Sequence, residues 1–394
     1  MQKNKKILVW LSGWVDSAVA AYLLKKEWYD VTAGFMINYL APEGEVCPTR
    51  EDIEVAKEVA NYLEIPFFTF DYRDEYEEKV LNYMYEGYKR WITPNPDIMC
   101  NSEIKFKVFL YEAMELGFDA VATGHYARII PHPNPLPWGR GDELQASQIS
   151  VAPFSSKGER IQDRGDIERE KINTLLKWVD TTKDQSYFLA GLSQEQLSRA
   201  LFPIGHLQKS EVREIARQAW LPNALRKESQ GICFVGKVDM KDFLQKKIPN
   251  SVGDIVDINE KILGKHKGVF YYTIGQRKGL WVWGMKEPIF VMKKDIKNNR
   301  LIVWYWEDEE LYSDTLYIDE LHFLSSEVEL PKDCHAKIRY RQPDQACEIR
   351  DRSHETGLPG KYEIKFQNPQ RAIASGQIIA LYDGDELWGS GIII

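Results

Sequence analysis

Apolar and polar positions follow two different periods along the first 130 residues, and together they predict a parallel α/β sheet. Apolar runs of strand length lie at 5–10, 31–37, 66–70 and 119–123. Between them, apolar residues recur at helical spacing and predict helices at 17–27, 51–63, 72–90 and 106–116. Strands that alternate with helices favour a parallel sheet covered on both faces, in which ligands bind at the carboxyl ends of the strands.

The pattern changes twice in the rest of the chain. Residues 131–171 carry alternating prolines, glycines and a polar tract, a composition that predicts a flexible insertion. Helical spacing returns at 186–190, 193–200, 209–219 and 239–247. From 252 onward, short apolar runs recur between turn residues and predict a β-barrel or sandwich, among them 268–274, 289–292, 336–340 and 377–381. The length of the chain predicts two or three domains.

Composition narrows the class of protein. The 394 residues are 44% hydrophobic and 28% charged, and no apolar run approaches the length of a membrane span. The basic N-terminus leads directly into a strand, so we expect a cytoplasmic protein. A net charge of −8 gives no general attraction to nucleic acid, which would need a local basic patch. Five widely spaced cysteines without a CxxC pair argue against a disulfide framework and a structural zinc site.

The strand at the start of the chain leads into a helix through a polar turn. After Leu11 the turn is Ser12-Gly13-Trp14-Val15-Asp16-Ser17. Free N–H groups and the positive end of the helix dipole would converge there, which predicts an anion site. The turn lacks the Gly-Lys-Ser/Thr that ends a Walker loop. An ordinary capped helix after a strand is the alternative interpretation.

Two cysteines are candidates for thiol chemistry. Cys100 follows Asp97 in a loop stiffened by two prolines, and we expect it at a helix start with Asn101 or Ser102 as N-cap. That position would lower the pKa of its thiol, whereas the alternative is a rigid turn with an inert cysteine. Cys233 lies between basic residues and glycines, which suits an exposed thiolate that pairs with Cys100. The remaining three are interpreted as structural or incidental: Cys47, Cys334 and Cys347.

Three further stretches offer ligand contacts. Gly124 follows the fourth strand and would let a backbone approach a nucleotide closely, whereas the neighbouring His125 is assigned no role. Residues 183–187 carry polar side chains that could meet a base or a phosphate, although by themselves they are an ordinary helix start. Arg339 and Tyr340 could stack on and hold single-stranded RNA, although a charged outer strand face explains them equally well.

Six motifs in this order make the chain closely resemble bacterial tRNA-specific 2-thiouridylases. The resemblance covers nearly all of the chain outside 131–171. The motifs are Ser-Gly-x-Val-Asp-Ser (12–17), Thr-Pro-Asn-Pro-Asp-x-x-Cys-Asn (93–101), Thr-Gly-His-Tyr-Ala (123–127), Lys-Asp-Gln-Ser-Tyr-Phe-Leu (183–189), Glu-Ser-Gln-Gly-Ile-Cys-Phe (228–234) and Gly-Gln-Arg-Lys-Gly-Leu (275–280).

The resemblance implies a fold and a reaction. The fold would be an α/β pyrophosphatase-loop domain of the adenine-nucleotide α-hydrolase-like class at 1–205, a small central tRNA-binding domain at 206–270 and a C-terminal β-barrel at 271–394. ATP with Mg²⁺ would adenylate the C2 oxygen of the wobble uridine of tRNA. A cysteine desulfurase or relay protein would deliver sulfur as a persulfide on Cys233. Cys100 would attack that persulfide, leaving a Cys100–Cys233 disulfide, or hydrogen sulfide would be released to attack the base. Asp97 matches the acid/base carboxylate.

The resemblance also assigns binding residues. For ATP these are Leu11, Ser12, Gly13, Trp14, Val15, Asp16, Ser17, Met36 and Gly124. For tRNA they are Asn95, Pro96, Asp97, Lys183, Asp184, Gln185, Arg339 and Tyr340. We expect no metal ligands in the chain, no membrane association and a monomer.

Several tryptophans occupy positions where local physics favours glycine. The helix ends at 24–31 and 114–121 have the same layout, but one has Trp28 where the other has Gly117. Trp220, just before Leu221, likewise occupies a position at a helix end where glycine is expected. The family pattern has glycine at eight more: Trp10, Trp14, Trp91, Trp178, Trp281, Trp283, Trp304 and Trp306. Our hypothesis is that the source organism decodes UGA as glycine. A divergent or inactivated enzyme is the alternative.

Two other functions remain open on the sequence alone. One is another adenylating synthetase, which would not need Cys100 and Cys233. The other is an RNA-binding protein whose loop no longer grips pyrophosphate.

Overall fold

The computed structural model describes residues 5–41, 47–131, 173–180, 183–227, 233, 240–305, 309–324, 328–355, 357 and 359–394. The predicted insertion at 131–171 lies outside the described residues, apart from residue 131. Trp306 and the neighbours of Cys233 on both sides also lie outside them.

A parallel sheet forms the first half of the chain, as predicted. Its strand order is β3-β2-β1-β4-β7. The first seven strands are β1 (Lys6–Trp10), β2 (Asp30–Ile37), β3 (Phe67–Asp71), β4 (Ala120–Ala122), β5 (Arg128–Pro131), β6 (Asn173–Leu176) and β7 (Ala200–Leu201). The central strand β1 is buried on both faces, because Leu8 packs into one core cluster and Ile7 and Val9 into the other. This burial explains why its sequence is a continuous apolar run.

Helices cover the sheet and continue the chain. The α-helices are α1 (Val15–Lys26), α2 (Pro48–Tyr62), α3 (Arg73–Tyr76), α4 (Asn82–Lys89), α5 (Pro96–Met99), α6 (Phe109–Glu115), α7 (Gln194–Ser198), α8 (Lys209–Gln218) and α9 (Met240–Gln245). Two π-helices, Glu77–Leu81 and Cys100–Val108, each join two α-helices. Three short 3₁₀ segments are Ser186–Leu189, Val269–Tyr271 and Glu309–Leu311.

The second half of the described chain is mostly antiparallel. One sheet has the order β10-β11-β8-β9, from β8 (Gly253–Val256), β9 (Ile262–His266), β10 (Ile289–Asp295) and β11 (Arg300–Tyr305). The other strands are β12 (Tyr312–Ile318), β13 (His322–Phe323), β14 (Lys332–Lys337), β15 (Gln345–Asp351), β16 (Tyr362–Arg371), β17 (Ile378–Asp383) and β18 (Glu386–Ile392). They join β6 and β5 in one sheet, in which β6 pairs with β18 and so links the first part of the chain to the last.

Two local predictions are wrong. The apolar run 268–274 is not a strand, because its buried residues form the 3₁₀ turn Val269–Tyr271. The helix around Cys100 does not begin at Asn101 or Ser102. It begins at Pro96, and the Asn95 side chain accepts a hydrogen bond from the Ile98 N–H at 3.3 Å. Cys100 therefore lies inside a continuous helical segment rather than at its N-terminus.

Four tryptophans adopt the left-handed backbone conformation that favours glycine. Their φ angles are 65° at Trp28, 68° at Trp91, 51° at Trp220 and 52° at Trp281. Within the described part of the chain, no helix is long and apolar enough to cross a membrane.

Candidate active site

A cavity of about 810 Å³ lies at the carboxyl edge of the parallel sheet. The loops after β1 and β4, which are neighbouring strands, both contribute to it. Its walls combine residues from five of the six motifs singled out in the sequence: Ser12, Trp14, Val15, Asp16, Ser17, Asp97, Asn101, Gly124, His125, Tyr126, Lys183, Gln185, Phe188 and Cys233. Several cations also face this space: Lys105, Lys183, Lys209, Arg213, Lys227 and Arg341. A polyanionic ligand therefore fits its charge.

Hydrogen bonds shape the loop after β1 around the start of α1. The Ser17 hydroxyl accepts the Ser12 N–H at 3.1 Å and lies 3.0 Å from the Ser12 hydroxyl. Gly13 has a φ of +80°, and a Cβ there would lie 2.5 Å from the Asp52 carbonyl oxygen. Only glycine fits this turn without a shift. The start of α1 lines the cavity, and the N–H groups at a helix start can bind an anion.

Gly124 brings the loop after β4 against the first turn of α1. A Cβ at this residue would lie 2.6 Å from the Ser17 backbone nitrogen and 2.7 Å from the Asp16 carbonyl carbon. The next residue, His125, is buried, and burial lowers the pKa of its imidazole well below the ordinary value. Its ring is therefore neutral.

Long-range contacts anchor the loop from the other side. Lys209, the first residue of α8, donates to both carboxylate oxygens of Asp16 at 2.7 and 2.9 Å. The guanidinium group of Arg226 donates to the Gly13 carbonyl at 3.1 Å and to Asp52 at 2.6 Å. The same group lies 4.1 Å from the centre of the Trp14 ring. The Trp14 indole therefore packs against the Arg226 guanidinium group.

The two cysteines that are candidates for thiol chemistry, Cys100 and Cys233, lie next to each other, and Cys233 lines the cavity. Cys100 is fully buried on the π-helix, whereas Cys233 is only half-buried. The backbone N–H of Cys233 donates to Asp97 Oδ1 at 3.1 Å, and the Tyr76 hydroxyl donates to the Cys233 carbonyl at 2.7 Å. These bonds hold the Cys233 backbone beside the Asp97 carboxylate.

The electrostatics shift the pKa values of the two thiols in opposite directions. A hydrogen bond from Cys100 lowers the pKa of Cys233 against the effect of burial, and Lys105 lowers it further. Burial and this same hydrogen bond raise the pKa of Cys100 well above the ordinary value. The prediction of a lowered pKa at Cys100 is therefore wrong, because the residue is buried inside the helix. Burial also raises the pKa of Asp97, which suits an acid/base group.

Comparison with known proteins decides the family. Three family models match, described as tRNA methyl transferase HUP domain (residues 5–237), tRNA methyl transferase PRC-barrel domain (241–304) and Aminomethyltransferase beta-barrel domain (313–393). A tRNA-specific 2-thiouridylase MnmA from Shouchella clausii is 40% identical over 395 residues, or 100% of this chain and 97% of the relative. Its namesake from Listeria innocua is 42% identical over 392 residues, or 98% and 94%. The chain belongs to the tRNA-specific 2-thiouridylase family.

Membership of the 2-thiouridylase family confirms the resemblance, and the three matched domains confirm the predicted fold class.

Solved structures align far more weakly. An NMN synthetase from Francisella tularensis is 17% identical over 62% of this chain and 78% of its own, with a TM-score of 0.32. The U34-tRNA thiolase NcsA from Methanococcus maripaludis is 22% identical over 32% and 39%, with a TM-score of 0.24. Such scores add nothing to the fold.

The remaining residues predicted from the 2-thiouridylase pattern divide into two groups. Lys183, Gln185 and Tyr340 line the cavity with the loop and Cys233. The others do not line it: Leu11, Gly13, Met36, Asn95, Pro96, Asp184 and Arg339. Leu11 and Met36 are buried in the core. The Asp184 carboxylate is also buried and accepts bonds from Ser186 and Lys337.

Sequence reasoning missed three charged residues of this site. Lys105, Lys209 and Arg226 all contact motif residues, the last two across roughly two hundred positions of chain. No local pattern marks the two distant ones. The sequence does contain a signal for Lys105, because this lysine follows Cys100 by five residues and stands between the apolar residues Ile104 and Phe106.

Proposed function

We propose that the chain is an ATP-dependent tRNA uridine 2-sulfurtransferase. The observation that carries this proposal is the shared cavity. The loop at residues 12–17, which we call the phosphate loop, and Cys233 line the same space. Adenylation of a base requires ATP beside the base, and sulfur transfer requires a thiol beside the same base. The relatives are named as tRNA-specific 2-thiouridylases, which agrees with both requirements.

The phosphate end of the site fits ATP. Ser12, Ser17 and the start of α1 would bind the pyrophosphate, and Lys209 would neutralise part of its charge. Among the described residues, no group of three His, Cys, Asp or Glu side chains could hold a metal ion. A Mg²⁺ ion would therefore arrive with the phosphates, and Asp16 is the loop carboxylate that faces them. The wobble uridine would lie between this end and Cys233.

Adenylation turns the C2 oxygen of the uridine into part of a good leaving group. The C2 oxygen attacks the α-phosphorus of ATP, and pyrophosphate leaves with the electrons of the broken P–O bond. Cys233 then presents a persulfide whose terminal sulfur attacks C2, and AMP leaves with the former uridine oxygen. Cys100 attacks Cys233 Sγ and breaks the S–S bond, so that the transferred sulfur keeps the bonding pair and a Cys100–Cys233 disulfide forms.

A second order of events uses the same residues. Cys100 attacks the persulfide first and releases hydrogen sulfide, which then attacks C2. In both orders the two thiols become a disulfide, and an external thiol must reduce it before the next turnover. Asp97 would accept the proton of Cys100, whose raised pKa keeps it protonated until then. The persulfide donor would be a desulfurase or relay protein, and the enzyme would act as a cytoplasmic monomer.

The test is a thiolation assay with tRNA, ATP and a persulfide donor, followed by nucleoside mass spectrometry. We expect 2-thiouridine and AMP from the chain. Cys233→Ser should still consume ATP on tRNA but form no 2-thiouridine. A synthetase for another substrate would keep full turnover in both Cys100→Ser and Cys233→Ser. An RNA-binding protein would consume no nucleotide even as the Trp14→Gly variant, and that outcome would refute the proposal.

A further inference from the structure

Lys105 is a buried cation close to the two thiols. Lys105 is only 4% exposed, and a lysine is rarely buried unless its charge has a partner. It stands five residues after Cys100 on the π-helix, whose backbone bonds join residues five apart. The two residues therefore lie one turn apart on the same side of the helix, and Lys105 lines the cavity beside Asp97 and Cys233.

Neighbouring residues fix the position of the ammonium group. Lys105 Nζ donates to Asn101 Oδ1 at 2.8 Å, and Asn101 Nδ2 in turn donates to the Phe188 carbonyl at 2.8 Å. This second bond determines which end of the Asn101 amide faces the lysine. Asn101 is neutral, so it orients the ammonium group without cancelling its charge.

We propose that Lys105 is a positioning residue that stabilises negative charge on the sulfur of Cys233, first as thiolate and then as persulfide. This inference rests on the proposed sulfur transfer. The titratable groups around Lys105 are Cys100, Cys233, Asp97 and the neutral His125. Burial alone would lower the pKa of Lys105, but the charges of Cys233, Cys100 and Asp97 raise it, so the cation persists.

The test measures how fast iodoacetamide labels Cys233 at each pH, resolved by peptide mass spectrometry. Lys105→Met should shift the labelling profile upward by about one pH unit, so that labelling near pH 7 slows about tenfold. Lys105→Arg keeps the charge and should recover most of that rate. The matched control is Lys107→Met on the same helix, whose lysine pairs with Glu103 at 2.9 Å outside the cavity. If Cys233 in the Lys105→Met variant is labelled with the same pH profile as in the unaltered chain, the inference is overturned.

A single-turnover assay separates this inference from the proposed function. If the chain forms no 2-thiouridine even as the Trp14→Gly variant, the proposed function fails whatever the labelling profile shows. If it does and Lys105→Met transfers sulfur at the wild-type rate, the role of Lys105 fails alone. Thermal unfolding of each variant shows that a slower rate does not come from a misfolded chain.

A second inference concerns the left-handed tryptophans and rests on independent observations. Nine non-glycine residues of the described chain have a positive φ, and four of them are tryptophans, although only 12 of 394 residues are tryptophan. Three of these four side chains are largely exposed, at 89% for Trp28, 81% for Trp220 and 72% for Trp281. Little burial offsets the steric cost of the Cβ atom.

Three of the tryptophans close a helix in the way that Gly117 closes α6. There the Gly117 N–H donates to Met114 at 3.0 Å and the next N–H donates to Ala113 at 3.0 Å. The same pair of bonds forms at Trp28, Trp91 and Trp220, whose N–H groups donate three residues back while the following N–H groups donate five residues back. This helix-ending motif places glycine at the left-handed position. Glu64 closes α2 likewise, so one ordinary residue is tolerated there.

We infer that positions 28, 91, 220 and 281 are glycine in the protein that the source cell makes, because its UGA codons are decoded as glycine. One reassigned codon explains all four positions. The same codon at position 14 would remove the indole that packs against Arg226 and lines the cavity, and so would enlarge the candidate nucleotide site.

Codon sequence and peptide mass test this inference directly. The gene should carry TGA at the four positions, and peptides of the native protein should have the mass of glycine there. Trp388 is the control: it is buried in β18, and its codon should be TGG. A recombinant chain with all four Trp→Gly changes should melt at a higher temperature than the printed chain. TGG codons at the four positions, tryptophan in native peptides, or an unchanged or lower melting temperature would overturn the inference.

Discussion

Gly124→Ala is the change that most selectively disturbs the phosphate loop. The added Cβ would lie 2.6 Å from the Ser17 nitrogen and 2.7 Å from the Asp16 carbonyl carbon, whereas ordinary contacts begin at 3.4 Å. Both neighbours are backbone atoms at the start of α1, so no flexible side chain can move aside. The loop must retreat by about 1 Å, and a misplacement of that size costs about 100-fold in rate, or about 2.7 kcal/mol.

The assay follows ATP-dependent adenylation on tRNA as AMP release, and ATP affinity by equilibrium binding. We expect kcat/KM for ATP to fall about 100-fold in Gly124→Ala. Gly264→Ala is the matched control, because its nearest neighbour would be a flexible Val282 methyl at 3.7 Å, away from the cavity. Its kinetics should match those of the unaltered chain. If Gly124→Ala stays folded and retains kcat/KM within twofold, the assignment of the β1–α1 loop as the phosphate site is refuted.

Three further predictions follow from the site. Iodoacetamide should label Cys233 before Cys100. Labelling of Cys233 should persist below the ordinary pKa of a thiol and should disappear as the pH falls through the lowered pKa of Cys233. Faster labelling of Cys100 would contradict the opposite pKa shifts of the two thiols. Asp184→Ala should lower the free energy of unfolding by about 3 kcal/mol in a denaturant titration, because Lys337 would lose a buried partner at 3.1 Å; wild-type stability with weaker tRNA binding would instead make it a tRNA contact. Affinity for tRNA should fall about 30-fold from 50 to 200 mM salt if three cations such as Lys183, Arg339 and Arg341 contact phosphates; a salt-insensitive affinity would exclude this basic strip.

Local patterns predicted the parallel sheet well because its strands are buried on both faces. Ile7, Leu8 and Val9 have no exposed surface, so an apolar run was the direct signature of β1. The same logic failed at 268–274, where equally buried residues form a 3₁₀ turn. A short apolar run indicates burial but does not by itself determine backbone conformation.

The chemistry of the site could be predicted only in part. Motif order identified the loop at 12–17, Asp97 and both cysteines, because these residues lie in distinctive local patterns. The protonation states could not be predicted, since they depend on where the helix begins and on the burial of Cys100. Contacts such as Arg226 with Gly13 join distant segments, and one chain without its fold gives no sign of them.

Transfer of an oxygen isotope tests the central claim most directly. The purified chain is given ATP, a persulfide donor and tRNA whose wobble uridine carries ¹⁸O at C2, and the released AMP is analysed by mass spectrometry. Adenylation of the base predicts that the ¹⁸O atom leaves in AMP, with one labelled AMP for each 2-thiouridine formed. Unlabelled AMP, or 2-thiouridine formed without AMP, would contradict the account.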